Sequence, residues 1–214
     1  MRILNVPLYT IVTGLAIAGS FTGCFLLGKN EKKESEPSQN RISYNLDMET
    51  PGSNNMPERW IPRNPRDTTI TVDSLMKICH TDTVVKQHGN SSILLERNGV
   101  LGWTVAKTVI DEQYSGQKIK LTGYLKTEDV RGWAGLWFRI DGADSVLAFD
   151  NMVKTAARGT TDWTEYTIEL NYDCRNAQHI VAGAQIFGTG RAWVDNMHIS
   201  IDGVDIAVAP ILKK

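Results

Sequence analysis

The chain has 214 residues, of which 42% are hydrophobic and 22% are charged, and its formal net charge is −1. Such a composition is ordinary for a folded protein, and the near-neutral balance argues against a nucleic-acid partner. Eighteen glycines and many short runs rich in valine, isoleucine and threonine indicate an all-β protein.

The N-terminus is typical of an export signal. Arg2 precedes a stretch without charged residues that runs from residue 3 to residue 28. The tetrapeptide FTGC, Phe21 to Cys24, resembles a bacterial lipobox, although Phe21 stands where leucine is usual. This resemblance implies a signal peptide over residues 1–23, lipidation of Cys24 and membrane attachment in the cell envelope. A retained transmembrane anchor is the alternative, because the stretch is long enough to span a bilayer.

A polar segment follows the cysteine. KNEKKESEPSQN, residues 29–40, contains no apolar residue other than proline and therefore predicts a flexible tether that ends near residue 42. Two further cysteines, Cys79 and Cys174, could form a disulfide in an oxidising compartment. Buried free thiols are the alternative that we favour.

From residue 43 onward the chain predicts short strands separated by turn signals. We expect one short helical turn at residues 111–116, hairpin turns at residues 141–142, 159–162 and 188–190, and a short tail at residues 204–214. The expected strands cover residues 44–49, 68–73 continued by 75–79, 92–96, 102–110, 118–127, 132–140, 145–149, 163–170, 180–187 and 192–201. Nine or ten strands without a long helix predict a β-sandwich or jelly roll over residues 43–203.

The stretch GWAGLWFRIDG, residues 132–142, alternates between two kinds of side chain. On a strand, one face would carry a complete apolar set, Ala134, Leu136, Phe138 and Ile140. The opposite face would carry Trp133, Trp137 and Arg139. Aromatic rings stack on the apolar faces of sugars, and charged or amide groups bond the hydroxyls. The pattern therefore predicts a saccharide platform of Trp133 and Trp137.

Polar contacts to the same ligand would come from three residues. Arg139 shares the face of the two tryptophans, Tyr124 has the matching phase on what we expect to be the preceding strand, and Gln185 joins from a late strand. In the alternative interpretation, the segment 51–66 covers this face and Trp60 plugs it as a second small core.

Seven segments resemble, in this order, carbohydrate-binding modules with the galactose-binding-like jelly roll, which are also found in exported Bacteroidota proteins. They are NLDMET, HGNSSILLE, LTGYLKTE, GLWFRIDG, LAFDNM, GTTDWTEYTIEL and GTGRAWVDNMHISI, within residues 45–202. The resemblance implies a structural calcium ion that joins the first and last strands through Glu49 and Asp195. Alternatively, Asp195 only hydrogen-bonds backbone at one end of the sandwich.

No catalytic motif accompanies this pattern. The four histidines lack HExxH or HxH spacing, and the sequence contains no GxSxG. We therefore expect an exported, lipid-anchored module without catalytic activity that binds a glycan or another small ligand. A structural or protein-interaction module of the envelope is the second interpretation, and an unrecognised hydrolase is the third.

Overall fold

A computed structural model describes residues 43–66, 69–99 and 102–212. The lipobox prediction at Cys24 and the predicted tether lie outside these residues. In chain order the elements are β1 (Ile61–Arg63), α1 (Val72–Ile78), β2 (Cys79–Asp82), β3 (Ser92–Arg97), β4 (Trp103–Ile110), β5 (Lys118–Asp141), β6 (Val146–Asp150), β7 (Ala157–Asn171), β8 (His179–Ile201) and β9 (Val204–Asp205). No helix among the described residues is long and apolar enough to cross a membrane.

The long strands β5 and β8 organise the fold. They pair antiparallel from Ile119 opposite Ile201 to Asp141 opposite His179. The first part of β8 also pairs with β4 and its second part with β3, while β5 pairs with β7 early and with β6 late. Two antiparallel layers therefore share both long strands: β1-β4-β8-β5-β6 and β2-β3-β8-β5-β7. The predicted all-β sandwich is confirmed.

One expected hairpin and one expected break between strands are instead bends within these long strands. Residues 128–131 lie inside β5, and residues 188–190 lie inside β8. Gly132 and Gly188 face each other across the ladder with φ of 134° and 109°. A Cβ at Gly188 would lie 2.0 Å from the carbonyl oxygen of Arg131. Glycine lets the two backbones approach and bend there without reversing direction. The hairpin predicted at residues 188–190 and the predicted division of residues 118–140 into two strands were therefore wrong.

Other local predictions also differ from the structure. Residues 44–49 form a turn, because Asn45 has φ of 51° and its side chain bonds Thr50 on both N–H and C=O. Residues 72–78 are helical rather than extended. Thr71 caps this helix, since its hydroxyl accepts from Ser74 N at 3.2 Å. Residues 111–116 contain no helical turn, and residues 159–162 continue β7.

The core lies between the two layers. The apolar face predicted for residues 132–140 is confirmed, because four side chains of β5 are fully buried there: Ala134, Leu136, Phe138 and Ile140. Strand β8 supplies the facing apolar set, including Ile180, Ala182, Ala184 and Ile186. Alternation along both strands then forces their remaining side chains onto the outer face of the first layer, where the candidate site lies.

Candidate ligand-binding groove

The outer face of the β1-β4-β8-β5-β6 layer carries side chains in rows across the strands. One row joins Lys107, Gly183 and Trp137, and the next joins Arg63, Val105, Gln185 and Gly135. A groove of about 440 Å³ crosses this face. We call it the outer-face groove; its principal lining residues are Arg63, Trp103, Lys107, Trp137, Arg139, Phe149 and Gln185.

Two glycines shape the face. A Cβ at Gly183 would lie 2.2 Å from the carbonyl oxygen of Ala106 and 2.7 Å from Trp137 Nε1. The missing side chain therefore gives the Trp137 indole room to approach the backbone of β8. At Gly135, a Cβ would meet Met152 Cβ at 3.1 Å and the carbonyl oxygen of Asn151 at 3.3 Å, so the segment after β6 packs onto the sheet there.

Trp137 forms part of the groove wall and is mostly buried. It is 8% exposed and packs with Val105 and Val181. The Arg139 guanidinium lies 5.5 Å from its ring centroid, and the Phe149 ring lies 6.2 Å away at an edge-on angle of 63°. The Trp137 indole N–H is buried without a hydrogen-bond partner. Trp137 therefore contributes as much to packing as to the surface of the groove.

Trp133 lies beside the groove rather than in it. Its ring meets Trp103 edge-on, with centroids 5.3 Å apart and planes at 87°, and Phe187 lies 6.4 Å away. Only 7% of Trp133 is exposed. The open stacking surface expected for Trp133 and Trp137 is therefore absent from this structure, because neighbouring side chains cover both rings. Among the aromatic residues of the groove, Phe149 is 51% exposed and Trp103 is partly exposed.

Polar groups of the groove are held by short contacts. Arg139 Nη2 donates to Asp141 Oδ2 at 2.8 Å, and Arg139 Nε lies 2.8 Å from Asp141 Oδ1. This two-point pairing fixes the guanidinium over Trp137. The Gln185 amide nitrogen donates to the carbonyl oxygen of Asn151 at 3.2 Å. Arg139 and Gln185 thus line the groove, on the face that strand phase predicted for them.

Tyr124 does not join them. It lies in the first half of β5, opposite Asp195 of β8 and Glu165 of β7. The prediction assumed a chain reversal between Tyr124 and Trp137, but both residues belong to one strand. They are 13 positions apart along β5, on either side of the bend at residues 128–131.

The segment 51–66 borders the groove without plugging it. Trp60 is buried in the main core, where its indole N–H donates to the carbonyl oxygen of Asn45 at 2.8 Å. Residues 61–63 add an edge strand beside β4. From this segment Arg63, Pro65 and Arg66 line the groove, so the covering role expected of Trp60 was wrong.

Several groove residues escaped sequence reasoning. Trp103, Val105 and Lys107 alternate along β4, and this alternation was the available signal. Their face could not be chosen, because the partner strand and its register were unknown. Arg63 and Phe149 gave no signal, since they belong to short edge strands of three and five residues.

The two predicted calcium ligands meet the same loop. Asp195 Oδ2 accepts from the backbone N–H groups of Gln87 and His88 at 2.7 and 3.0 Å. The backbone N–H of Asn90 donates to both carboxylate oxygens of Glu49, at 2.9 and 2.8 Å. Asn90 Nδ2 donates to Glu49 Oε2 at 2.8 Å, and the Ser91 N–H donates to Oε1 at 3.3 Å. N–H donors therefore satisfy both carboxylates, and Asp195 hydrogen-bonds backbone, which is the alternative role given for it above. Ca²⁺ requires six to eight oxygen ligands, and this donor set does not fit it.

The two carboxyl groups titrate differently. Burial raises the pKa of Asp195 above its ordinary value, although the N–H groups of His88 and Gln87 act against this. Burial acts in the same direction on Glu49, but hydrogen bonds from Asn90 and Ser91 outweigh it and lower the pKa of Glu49. No group of three or more His, Cys, Asp or Glu side chains is placed to hold a metal ion in the described part of the chain.

The two described cysteines are unpaired. Cys79 is fully buried, and Cys174 is partly buried. Burial raises the pKa of the Cys79 thiol far above its ordinary value, so this thiol is unreactive at neutral pH. The preference for free thiols agrees with this arrangement.

Comparisons with known proteins bear on the fold. The enzymatically active domain of tailspike protein 4 from bacteriophage CBA120 is similar over 75% of this chain and 22% of the tailspike chain, with 12% identity and a TM-score of 0.53. A cyclase from Fischerella sp. TAU is similar over 79% of this chain and 96% of its own, with 15% identity and a TM-score of 0.52. At such identities the likeness concerns the fold alone.

Carbohydrate-binding modules are similar at lower scores. A family 30 module of a Clostridium thermocellum cellulosomal cellulase shares 13% identity, with 68% of this chain and 92% of the module covered and a TM-score of 0.48. No family model matches the chain. An uncharacterized HTH-type transcriptional regulator of Bacillus subtilis, YbfP, is 39% identical over 98 residues, 45% of this chain. The chain spans about a third, 32%, of that regulator's length.

Proposed function

We propose that this protein is a non-catalytic binding module whose ligand is a saccharide held in the outer-face groove. One observation carries the proposal: a groove of about 440 Å³ combines exposed aromatic surface with amide and cationic side chains on a rigid sheet. Its volume lies within the range of small-ligand sites, which are concave and largely preformed.

The chemistry of the lining suits a sugar ring. The exposed face of Phe149, beside Trp103 and the edge of Trp137, offers apolar surface to the CH groups of a pyranose. Gln185, Asn151 and Lys107 offer hydrogen-bonding groups to its hydroxyls. Trp137 and Arg139 are fixed by packing and by the Asp141 ion pair, so little ordering would be required on binding.

A second candidate is a protein-interaction module. Strand β6 and its following turn expose Val146, Leu147, Phe149 and Val153, each between 38% and 53%. An edge strand with exposed apolar side chains is a surface that another chain could cover. Phe149 belongs to both surfaces, whereas Val153 is outside the groove lining.

A glycan array probed with the full chain tests the first candidate. We expect binding to a limited set of saccharides, and we expect Phe149→Ala to weaken it by about tenfold, because a stacked aromatic ring is lost. Val153→Ala, an equally exposed apolar residue at 46%, should leave binding unchanged. Equal losses from both variants, or an array without binding, would contradict the saccharide proposal.

We further propose that the module is held at a membrane through lipid on Cys24, as the FTGC segment suggests. Labelling with a fatty-acid analogue in the producing cell should mark the parent and fail in Cys24→Ala. Labelling that persists in this variant would refute the lipid anchor.

A further inference from the structure

The outer-face groove carries more positive charge than its own residues neutralise. Its lining includes four basic side chains and no acidic one: Arg63, Arg66, Lys107 and Arg139. Arg139 is paired with Asp141. Among the described residues, no carboxylate lies within 4.0 Å of Arg63 or Lys107. The excess is local, since the whole chain has a net charge of −1.

The basic groups are also close enough to influence one another. Arg63 and Lys107 lie on adjacent strands, where Arg63 pairs with Val105 and Ile61 pairs with Lys107. Burial lowers the pKa of Lys107, and the neighbouring charges of Arg63 and Arg139 lower it further, against a smaller opposing effect of the Asp141 carboxylate. Holding like charges together in a partly buried wall is unfavourable, and an anion bound between them would relieve the repulsion.

We infer that the saccharide bound in the groove is acidic and carries a carboxylate or sulfate group that pairs with Lys107 and Arg63. This inference rests on the proposed saccharide-binding function. The Arg63 guanidinium offers parallel N–H donors to two oxygens of one anionic group, and the Lys107 ammonium adds a point charge. Phe149 and Trp103 would hold the ring while the two cations select the acid.

A nucleic acid would also be anionic and able to stack, but the charge distribution disfavours it. Duplex binding through about 6–10 phosphate contacts needs a correspondingly extended row of cations, whereas the groove presents four basic side chains within about 440 Å³. A short acidic saccharide places one or two charges within that space, where Arg63 and Lys107 lie on adjacent strands.

Binding of matched acidic and neutral glycans tests the inference. The full chain is presented with uronate-, sialate- and sulfate-bearing saccharides, each beside its neutral counterpart, together with a single-stranded oligonucleotide. We expect the acidic member to bind at least tenfold more tightly. Lys107→Met keeps the apolar stem and removes the charge, and it should reduce this affinity by about tenfold to a hundredfold. Added salt should weaken the same binding.

Lys120→Met is the control, because Lys120 is exposed on the other half of β5, and it should bind like the parent. Neutral glycans that bind as tightly as acidic ones, or a Lys107→Met variant with unchanged affinity, would overturn the acidic preference and leave saccharide binding standing. No binding to any glycan would overturn both proposals. Preferential binding of the oligonucleotide would replace the saccharide with another class of ligand.

Discussion

Removal of the Trp137 side chain tests whether this tryptophan stabilises the fold by packing in the groove wall. A tryptophan side chain buries roughly 150–250 Å², and Trp137 is only 8% exposed. At about 25 cal/mol per Å², the lost burial amounts to roughly 3.5–6 kcal/mol. The buried indole N–H has no partner, so its removal returns about 1–3 kcal/mol of desolvation cost. Trp137→Ala should therefore lower the free energy of unfolding by about 1–5 kcal/mol.

Trp137→Phe separates the two contributions. It keeps most of the apolar contact with Val105 and Val181 and removes the unpaired N–H, so its stability should lie within about 1 kcal/mol of the parent. Trp163→Ala is the control, since Trp163 is partly exposed on β7 and should cost less than Trp137→Ala. Urea unfolding measures all three variants. A Trp137→Ala cost below about 1 kcal/mol would refute the packing described for this ring.

Three further predictions concern the ends and bends of the sandwich. Gly188→Ala should destabilise the fold by about 2–5 kcal/mol, because Gly188 has a φ of 109° and the new Cβ would meet the carbonyl of Arg131. Gly159→Ala is the control: Gly159 has a φ of 68° and open space around it, so the change should cost only about 1 kcal/mol in the same urea experiment. Glu49→Gln should be less stable than the parent at neutral pH, because a carboxylate with a lowered pKa stabilises the fold while it is ionised. The difference in stability should close as the pH falls below 4.5, the ordinary pKa of a glutamate. Denaturant titrations at pH 7 and pH 3 measure this difference, and the same difference at both pH values would contradict the prediction. Thermal melting should be the same with and without chelator, as N–H donors satisfy Glu49 and Asp195; a lower melting temperature in chelator, abolished in Asp195→Ala, would instead establish the calcium ion.

The fold class followed from the sequence, whereas the course of the chain did not. Alternation along residues 132–140 identified Ala134 and Leu136 as core and Trp137 as outward. Ala134 and Leu136 are fully buried, and Trp137 lines the groove on the opposite face. Glycine and aspartate occur both in turns that reverse the chain and in bends within a strand. The bends at residues 128–132 and 188–190 were therefore interpreted as ends of strands. A bend and a chain reversal differ in which distant strands pair with each other, and the local sequence pattern does not determine that pairing.

The candidate site was predictable in part for the same reason. Trp137, Arg139 and Gln185 were placed on the correct face, because strand phase is a local property. Tyr124 was misplaced by the false reversal, and Lys107 was missed because it reaches the groove only through the register of β4 with β8. The burial of Trp133 depends on Trp103 of another strand, a contact that strand phase alone could not reveal.

The proposal that a saccharide binds in the outer-face groove is tested most directly by the indole N–H signals of the tryptophans in an NMR titration. The full chain, labelled with ¹⁵N, is titrated with the saccharide that binds best on the array, and signals are assigned through Trp→Phe variants. We predict that the signals of Trp103 and Trp137 shift, because both residues line the groove. Those of Trp60 and Trp193 should stay fixed, since their N–H groups donate to Asn45 O and Asp82 Oδ2 away from it. Shifts confined to Trp60 or Trp193, or no shift at saturating saccharide, would contradict binding in the outer-face groove.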